Sequence, residues 1–380
     1  MFTSSFRRAA YVLSVWCVFS SAILAGPTAA ADELATGQLS KLDVLDSAWS
    51  FPNAAASIGL QYTTTDQYGA VAQASAGLYV PRGLPPAGGW PLIVWAHGTV
   101  GLADACAPSH QPQSERNRTY FGQILDHGYA VLAPDYQGLG TGGQFSYYNT
   151  QVEGHSILDA VAAIRTTPIP LSQKWVIIGQ SAGAHAALSA ASLSPDEPST
   201  RTAGLNGVVV TGLRAEPGVS LRAMFQTDST GSANQVGYAA YFLAALQQLH
   251  PERVTPYLSD FGRELVSQAH SRCLSDLVAS AAGRRPAALV ADPGSPTPTF
   301  EADIASLAAF REQGLPVDVS IGYGTADIDV TPVYTESFGE HLQTINPGID
   351  VAVTQYPGMD HGGTFLASLP NTLNFLQTHL

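Results

Sequence analysis

A run of apolar, β-prone residues at 175–178 stops abruptly at Gly179-Gln180-Ser181-Ala182-Gly183, and an alanine-rich stretch at 184–191 follows at once. A strand, a tight turn and a helix in this order hold a serine hydroxyl clear of a sheet, provided that small residues on either side let strand and helix pass. An ordinary strand–helix turn is the alternative interpretation, because Gly-x-Ser-x-Gly alone is a common pattern. The strand before it and the helix after it favour an exposed nucleophile at Ser181.

The sequence predicts eight strands along the chain. Two early β-rich segments flank a Gln67-Tyr68-Gly69 turn and indicate an antiparallel hairpin at one edge of a sheet. The later segments are mostly short, continuous apolar runs, which are typical of strands buried in a parallel sheet. The predicted strands are 58–64, 71–80, 92–96, 129–133, 175–178, 208–211, 317–323 and 351–356.

Helical patterns lie between these strands, at 120–127, 153–166, 182–193 and 371–380. Strands that alternate with helices are joined by right-handed crossovers, which place the helices against both faces of a parallel sheet. We therefore expect an α/β fold with a mostly parallel, eight-stranded sheet and helices on both faces.

One interval, residues 214–314, breaks the alternation between two parts of a single core, 32–213 and 315–380. It contains no convincing strand, and its helical patterns lie at 235–249, 251–268, 273–282 and 300–313. Because ligands bind at the carboxyl ends of parallel strands, we expect this insertion to form a helical cap over the site. A subdomain that serves only stability is the alternative. The apolar stripe at 241–246 predicts either a face for transient contact with a lipid interface or the cap's own core.

The first 31 residues are interpreted as a secretory signal peptide, with an uncleaved anchor as the alternative. Arg7 and Arg8 precede an apolar run from residue 9 to about residue 25, and small residues at 29–31 offer cleavage sites. Removal of this segment moves the formal net charge from −13 to −15, because two arginines and no acids leave with it. This charge argues against nucleic acid as a partner, since phosphates require a basic surface. We expect an extracellular or periplasmic protein.

Two cysteines, Cys106 and Cys273, remain after the signal peptide, which contains Cys17. In an exported protein a disulfide between them is expected, and two buried free thiols are the alternative. Neither cysteine lies in a Cys-x-x-Cys pair or beside a histidine cluster, so we predict no metal site.

A serine hydroxyl needs a base within hydrogen-bond reach and a third group that orients the base. His361 is the predicted base, because it follows the last predicted strand and precedes two glycines. Asp327 is the predicted orienting acid, as the first aspartate after the preceding strand, whereas Asp329 is interpreted as structural or solvated. The chain order Ser, Asp, His is that of nucleophile-elbow hydrolases.

Acyl transfer also requires donors aimed at the developing oxyanion. The backbone N–H of Ala182, at the start of a helix, is one predicted donor, and the N–H of Thr99, in the glycine-containing loop at 97–101, is the other. His97 in the same loop is interpreted as a brace. The residues predicted to contact substrate are Gly98, Gln180 and Tyr136.

The chain resembles the secretory lipases of the α/β-hydrolase superfamily, including the fungal lipase A members, over roughly residues 55–380. The resemblance implies a Ser-Asp-His triad at Ser181, Asp327 and His361, a helical cap and acyl-ester substrates. One departure is Gln180, which stands where the family usually has an aromatic residue before the nucleophile. The segments that carry the resemblance are residues 88–91, His97-Gly98-Thr99, residues 104–109, residues 135–140, residues 156–160, residues 179–183, residues 324–327 and Asp360-His361.

The leading hypothesis is a secreted serine carboxylic-ester hydrolase, lipase or esterase, that acts through an acyl-enzyme on a small-molecule or lipid ester without a cofactor. An exported peptidase of the proline-iminopeptidase or dipeptidyl type, on the same fold and triad, is the alternative. Such peptidases hold the amino terminus of the substrate, and Glu252, Glu264 and Glu301 form no recognisable motif for that purpose. A binding module without catalysis is a third hypothesis, against which the complete triad argues.

Overall fold

The computed structural model describes residues 35–226, 232–293 and 298–380, so the predicted signal peptide lies outside the described residues. Nine strands are present in this part of the chain. They are β1 (Leu39–Val44), β2 (Ala54–Thr65), β3 (Val71–Pro81), β4 (Trp90–Ala96), β5 (Ala130–Pro134), β6 (Leu171–Gln180), β7 (Leu205–Thr211), β8 (Asp318–Gly324) and β9 (Val351–Tyr356). They form one sheet in the order β1-β2-β3-β5-β4-β6-β7-β8-β9.

The sheet confirms the predicted mostly parallel architecture and its antiparallel edge. Neighbouring strands are parallel along the run β5-β4-β6-β7-β8-β9, whereas the pairs β1·β2, β2·β3 and β3·β5 are antiparallel. The predicted count of eight strands is wrong by one, because β1 was not recognised. Its side chains are mostly exposed, with Leu42 at 41 % and Val44 at 89 %, so it carries no alternating apolar pattern.

Thirteen α-helices lie in the described residues. They are α1 (Glu115–Asp126), α2 (Thr150–Arg165), α3 (Ala182–Leu193), α4 (Ser199–Thr202), α5 (Pro217–Met224), α6 (Gln235–Leu249), α7 (Pro251–Val254), α8 (Asp260–Ala269), α9 (Leu274–Ser280), α10 (Pro298–Leu307), α11 (Pro332–Ile345), α12 (His361–Ala367) and α13 (Leu369–His379).

Alternate residues of the central strands pack into two separate apolar cores, one on each face of the sheet. On β6, Ile177 packs in the core that includes residues of α2 and α3, whereas Ile178 packs in the core that includes residues of α1 and α12. This division follows from the two-residue period of a strand, which points neighbouring side chains to opposite faces. Strands that are buried on both faces therefore appear in the sequence as continuous apolar runs.

The interval between β7 and β8 is helical in its described residues, from α5 to α10. The apolar stripe at 241–246 lies on α6, and all six of its side chains are 0–1 % exposed. The stripe is therefore buried, and it packs in the same apolar core as Tyr147 and Tyr148 from outside the insertion. Within the described residues, no helix has the length and apolarity that crossing a membrane would require.

The predicted disulfide is present and ties the insertion to the loop after β4. Cys106 and Cys273 are bonded with a Cα–Cα distance of 5.4 Å and lie 167 residues apart in sequence. Beside this bond, the Leu274 N–H donates to the Val100 carbonyl oxygen at 2.8 Å, and Gly101 forms a β-bridge with Cys273.

We expect the double variant Cys106→Ser/Cys273→Ser to unfold at a lower temperature than the parent protein. A crosslink over so long a loop restricts the unfolded chain, and its loss costs about 2–5 kcal/mol of unfolding free energy. Thermal unfolding with and without a reductant measures the effect, since a reductant should lower the melting temperature of the parent alone. Equal melting temperatures in both proteins would contradict this expectation.

Candidate active site

Ser181 lies at the sharp turn between β6 and α3, with a strained backbone of φ 59° and ψ −123°. Residues other than glycine rarely adopt this backbone conformation. Its strain is typical of tight turns that expose a reactive group. The flanking glycine at 183 is required by close packing, because a Cβ there would lie 2.0 Å from the Ala96 carbonyl oxygen. The turn therefore has the geometry that the sequence pattern predicts.

Asp327 and His361 are directly paired. The His361 Nδ1–H donates to Asp327 Oδ2 at 2.7 Å, and Asp327 is only 6 % exposed. The second carboxylate oxygen, Oδ1, accepts the backbone N–H groups of Asp329 and Val330 at 2.9 and 2.8 Å. These two bonds fix the carboxylate, which in turn fixes the neutral imidazole as the tautomer that carries its proton on Nδ1. Nε2 of His361 is then left as an acceptor.

Asp329, the second aspartate after β8, has a different environment. Its backbone N–H supports Asp327, while its carboxylate accepts a short hydrogen bond from the Ser232 hydroxyl in the insertion. Asp329 therefore holds the turn and contacts the insertion, and in the described structure it forms no hydrogen bond or ion pair with His361.

The free nitrogen of His361 faces Gln180. The Gln180 amide nitrogen lies 3.1 Å from His361 Nε2, and an amide nitrogen can only donate in this pair. Ser181 and His361 line the same cavity, but the described residues show no hydrogen bond between them. Gln180, which is 2 % exposed, therefore contacts the candidate base as well as the cavity, and no local sequence pattern indicates the first contact.

Gly212, at the end of β7, makes room for the imidazole. Its φ is +61°, and a Cβ at this position would lie 2.7 Å from His361 Cε1. No sequence pattern singles out this glycine, because its neighbour in space is distant in the chain. The only local indication of its role is its position directly after the predicted strand at 208–211.

The loop after β4 brings Gly98 and Thr99 to the cavity wall. Buried His97 lies 2.7 Å through Nδ1 from the Gly98 carbonyl oxygen and 3.2 Å through Nε2 from the Asp135 carbonyl oxygen. Since C=O and N–H point in opposite directions across a trans peptide, the bond at Gly98 turns the Thr99 N–H away from the His97 ring. This arrangement agrees with the interpretation of His97 as a brace.

Ala182 and Tyr136, the other predicted site residues, lie outside the set of residues that line the cavity. Ala182 is buried at the first position of α3, where a backbone N–H has no partner within the helix. Tyr136 is buried against the His97 ring at 4.4 Å, and its hydroxyl donates to the His97 carbonyl oxygen at 3.1 Å. Tyr136 therefore does not line the cavity as predicted. It packs beneath the loop after β4 and supports His97.

Asp135, beside Tyr136, is also part of this support. It is fully buried and accepts hydrogen bonds from the Ser75 hydroxyl at 2.7 Å and from the Ser109 N–H and hydroxyl at 2.8 and 2.5 Å. Burial raises the pKa of its carboxyl group, and these donors and the nearby His97 oppose that change. These contacts anchor β5 to the segment that carries Cys106.

Ser181, His361, Gln180 and Gly98 open into one cavity of about 550 Å³. Its walls come from the loop after β4, the start of α1 and the insertion, which contributes Asn234, Tyr238, Cys273, Leu274 and Ser275. In the described part of the chain, no three His, Cys, Asp or Glu side chains are grouped so as to hold a metal ion.

The chain is similar to known lipases in sequence. The family model described as "Secretory lipase" matches residues 110–288. Lipase 9 of Candida albicans is 27 % identical over 190 residues, which are 47 % of this chain and 41 % of that lipase. The chain therefore spans less than half the length of this curated relative.

Solved structures share the fold over nearly the whole chain. The closed state of Candida antarctica lipase A has a TM-score of 0.71 at 20 % identity, covering 91 % of this chain and 82 % of that one. The rice cell wall degrading esterase LipA from Xanthomonas oryzae has a TM-score of 0.73 at 18 % identity, covering 91 % of this chain and 100 % of that one. The chain is therefore similar to secretory lipases over the matched segment, and it shares its fold with lipase A and with LipA.

Proposed function

We propose that the protein is a serine carboxylic-ester hydrolase with Ser181, His361 and Asp327 as its catalytic triad. The observation that carries this proposal is the Asp327–His361 pair, whose acceptor nitrogen lies beside the nucleophile turn in a shared cavity. The family match and the predicted order of the three residues support the same reaction class. The chemistry requires no cofactor, because the side chains supply nucleophile, base and orienting acid.

In this mechanism Ser181 Oγ attacks the ester carbonyl while His361 Nε2 accepts its proton. Asp327 stabilises the imidazolium that forms, and the N–H groups of Ala182 and Thr99 stabilise the oxyanion. His361 then donates the proton to the leaving alcohol, which leaves an acyl group on Ser181. Water, activated by His361, hydrolyses this acyl-enzyme and releases the acid. For the first step, the Gln180 amide must yield the His361 nitrogen to the serine hydroxyl.

The insertion at 214–314 is proposed to be a cap that bounds the substrate cavity. Asn234, Tyr238 and Leu274 of this segment line the same cavity as Ser181, and the disulfide ties the segment to the loop of the oxyanion donors. The disulfide, the family match and the predicted signal peptide also support export of the protein.

Covalent labelling tests the assignment of the nucleophile. A fluorophosphonate should react at Ser181 with loss of fluoride, and mass spectrometry of the digested protein should find the adduct on the peptide that contains this serine. His361→Ala should slow the labelling, since no base then accepts the proton of the serine hydroxyl. Labelling of a different serine, or no labelling of folded protein, would overturn the proposal.

Hydrolysis of matched ester and amide substrates separates the proposed activity from a peptidase. An ester and a 4-nitroanilide of the same acyl group differ in the leaving group alone. We expect kcat/KM to be greater for the ester, with no gain from a free amino group on the amide substrate. A preference for amides with a free amino terminus would identify a peptidase instead.

A further inference from the structure

We propose that Arg116 forms a subsite for a carboxylate group of the substrate, so that the enzyme prefers esters that carry a negative charge over their neutral counterparts. This inference rests on the proposed ester hydrolysis and names its substrate class. It is drawn from the cavity wall, where Arg116 lies in the same cavity as Ser181 and His361.

The position of the guanidinium is fixed relative to the candidate base. Its central carbon lies 5.2 Å from the centre of the Phe365 ring, within the range of a cation–π contact. Phe365 is fully buried and lies four residues after His361 on α12, so the two side chains share one face of that helix. The contact therefore holds Arg116 against the helix that carries the imidazole.

The guanidinium has more donors than the protein satisfies. Arginine presents five N–H groups, and those on Nε and Nη2 reach only the Asn117 side-chain oxygen, at 3.4 and 3.3 Å. In the described residues no carboxylate pairs with Arg116, whereas Arg201, Arg222 and Arg253 each pair with at least one. An arginine without a carboxylate partner is suited to bidentate binding of an incoming carboxylate.

The surroundings of Arg116 would strengthen an ion pair between its guanidinium and a substrate carboxylate. Burial lowers the pKa of its guanidinium, and the phenol of Tyr238, from α6 of the insertion, opposes this shift. A partly desolvated cation gains more from an ion pair than an exposed one does. Among the described residues, Arg116 is the only Lys or Arg that lines the cavity, in a protein of formal net charge −13.

Asp329 lines the same cavity and would repel an anion placed beside it. Its carboxylate, however, is engaged by the Ser232 hydroxyl, and its backbone carbonyl oxygen accepts a hydrogen bond from Arg214. The cavity thus presents one acidic side chain with local partners and one basic side chain without a charged partner. The asymmetry favours an anionic group at the Arg116 end.

Two pairs of substrates test the proposal and locate the charge. On the acyl side, 4-nitrophenyl hydrogen adipate is compared with 4-nitrophenyl adipamate, its neutral amide. On the alcohol side, 4-carboxyphenyl butyrate is compared with 4-carbamoylphenyl butyrate. The measured quantity is the ratio of kcat/KM for the anionic member to that for the neutral member, at low and at high salt.

Arg116→Gln should lower this ratio by about 10- to 100-fold in one of the two pairs, the loss expected for a charge-assisted hydrogen bond. The affected pair identifies the side of the ester that carries the charge. Arg118→Gln is the matched control, because Arg118 is exposed on the same helix, lies outside the cavity wall and changes the net charge equally. Arg116→Lys should keep part of the preference, since it retains the charge without the planar fork.

The proposal is overturned if Arg116→Gln leaves both ratios unchanged, or if Arg118→Gln lowers them as much, which would show a long-range effect of net charge. Binding to Ser181→Ala separates this outcome from failure of the proposed function. Equilibrium dialysis of 4-nitrophenyl hydrogen adipate and of 4-carboxyphenyl butyrate should show at least one binding more weakly to Ser181→Ala/Arg116→Gln than to Ser181→Ala. Equal binding of both would count against the subsite without reference to turnover.

Discussion

Ser181→Ala should abolish hydrolysis of 4-nitrophenyl esters, with kcat falling by about three to six orders of magnitude. The alanine lacks the oxygen that would form the acyl-enzyme, while the cavity and the oxyanion donors remain in place. Residual turnover should therefore come from bound water alone, without a burst of nitrophenol in the first turnover.

Ser192→Ala is the control for this variant. Ser192 lies on α3 with its hydroxyl bonded to the Ser189 carbonyl oxygen of the same helix, away from the cavity wall. It should retain activity within a few-fold, and both variants should keep the parent's melting temperature within a few degrees. If Ser181→Ala keeps most of the activity in a folded protein, the serine mechanism is wrong.

Asp327→Asn should reduce kcat by about 10⁴-fold with a small change in KM. The side-chain oxygen of asparagine would stay where the N–H groups of Asp329 and Val330 already fix it. Its NH₂ group would then face His361 Nδ1 and donate to it. This reverses the tautomer, places the ring proton on Nε2, and removes the acceptor that Ser181 requires.

Asp329→Asn is the matched control, since it removes the same charge two residues away. Its carboxylate contacts Ser232 and not the imidazole, so we expect less than about a tenfold loss of kcat. The tautomer can be read directly from nitrogen-15 NMR of the imidazole, which should report Nδ1–H in the parent and Nε2–H in Asp327→Asn. A larger loss in Asp329→Asn would show that the orienting acid has been assigned to the wrong residue.

Much of the core could be predicted because its signals are local. Continuous apolar runs followed by helical patterns identified eight of the nine strands, and the small residues around Ser181 predicted the sharp turn. The edge strand β1 was missed because its exposed side chains leave no periodicity. The strand is held by backbone pairing with β2, and such pairing leaves little trace in side-chain identity.

Other features depend on pairs of distant residues. Gln180 appeared in the sequence only as the residue before the nucleophile, yet its amide lies against His361, which is 181 residues later. Tyr136 follows a strand that ends beside the site, but its positive φ of 69° and its contact with His97 direct the ring into the core. No property of either residue type selects between substrate and protein as its partner.

Apolar periodicity and glycine placement act over a few residues, so they suffice to predict eight of the nine strands, the turn at Ser181 and the short set of residues able to act as base and acid. The folded chain was needed to show that the apolar stripe of α6 is buried, that Asp327 and not Asp329 pairs with the imidazole, and that Arg116 lines the cavity without a carboxylate partner. Burial and hydrogen-bond pairing are properties of residues that meet in space, and the chain brings these residues together only when it folds.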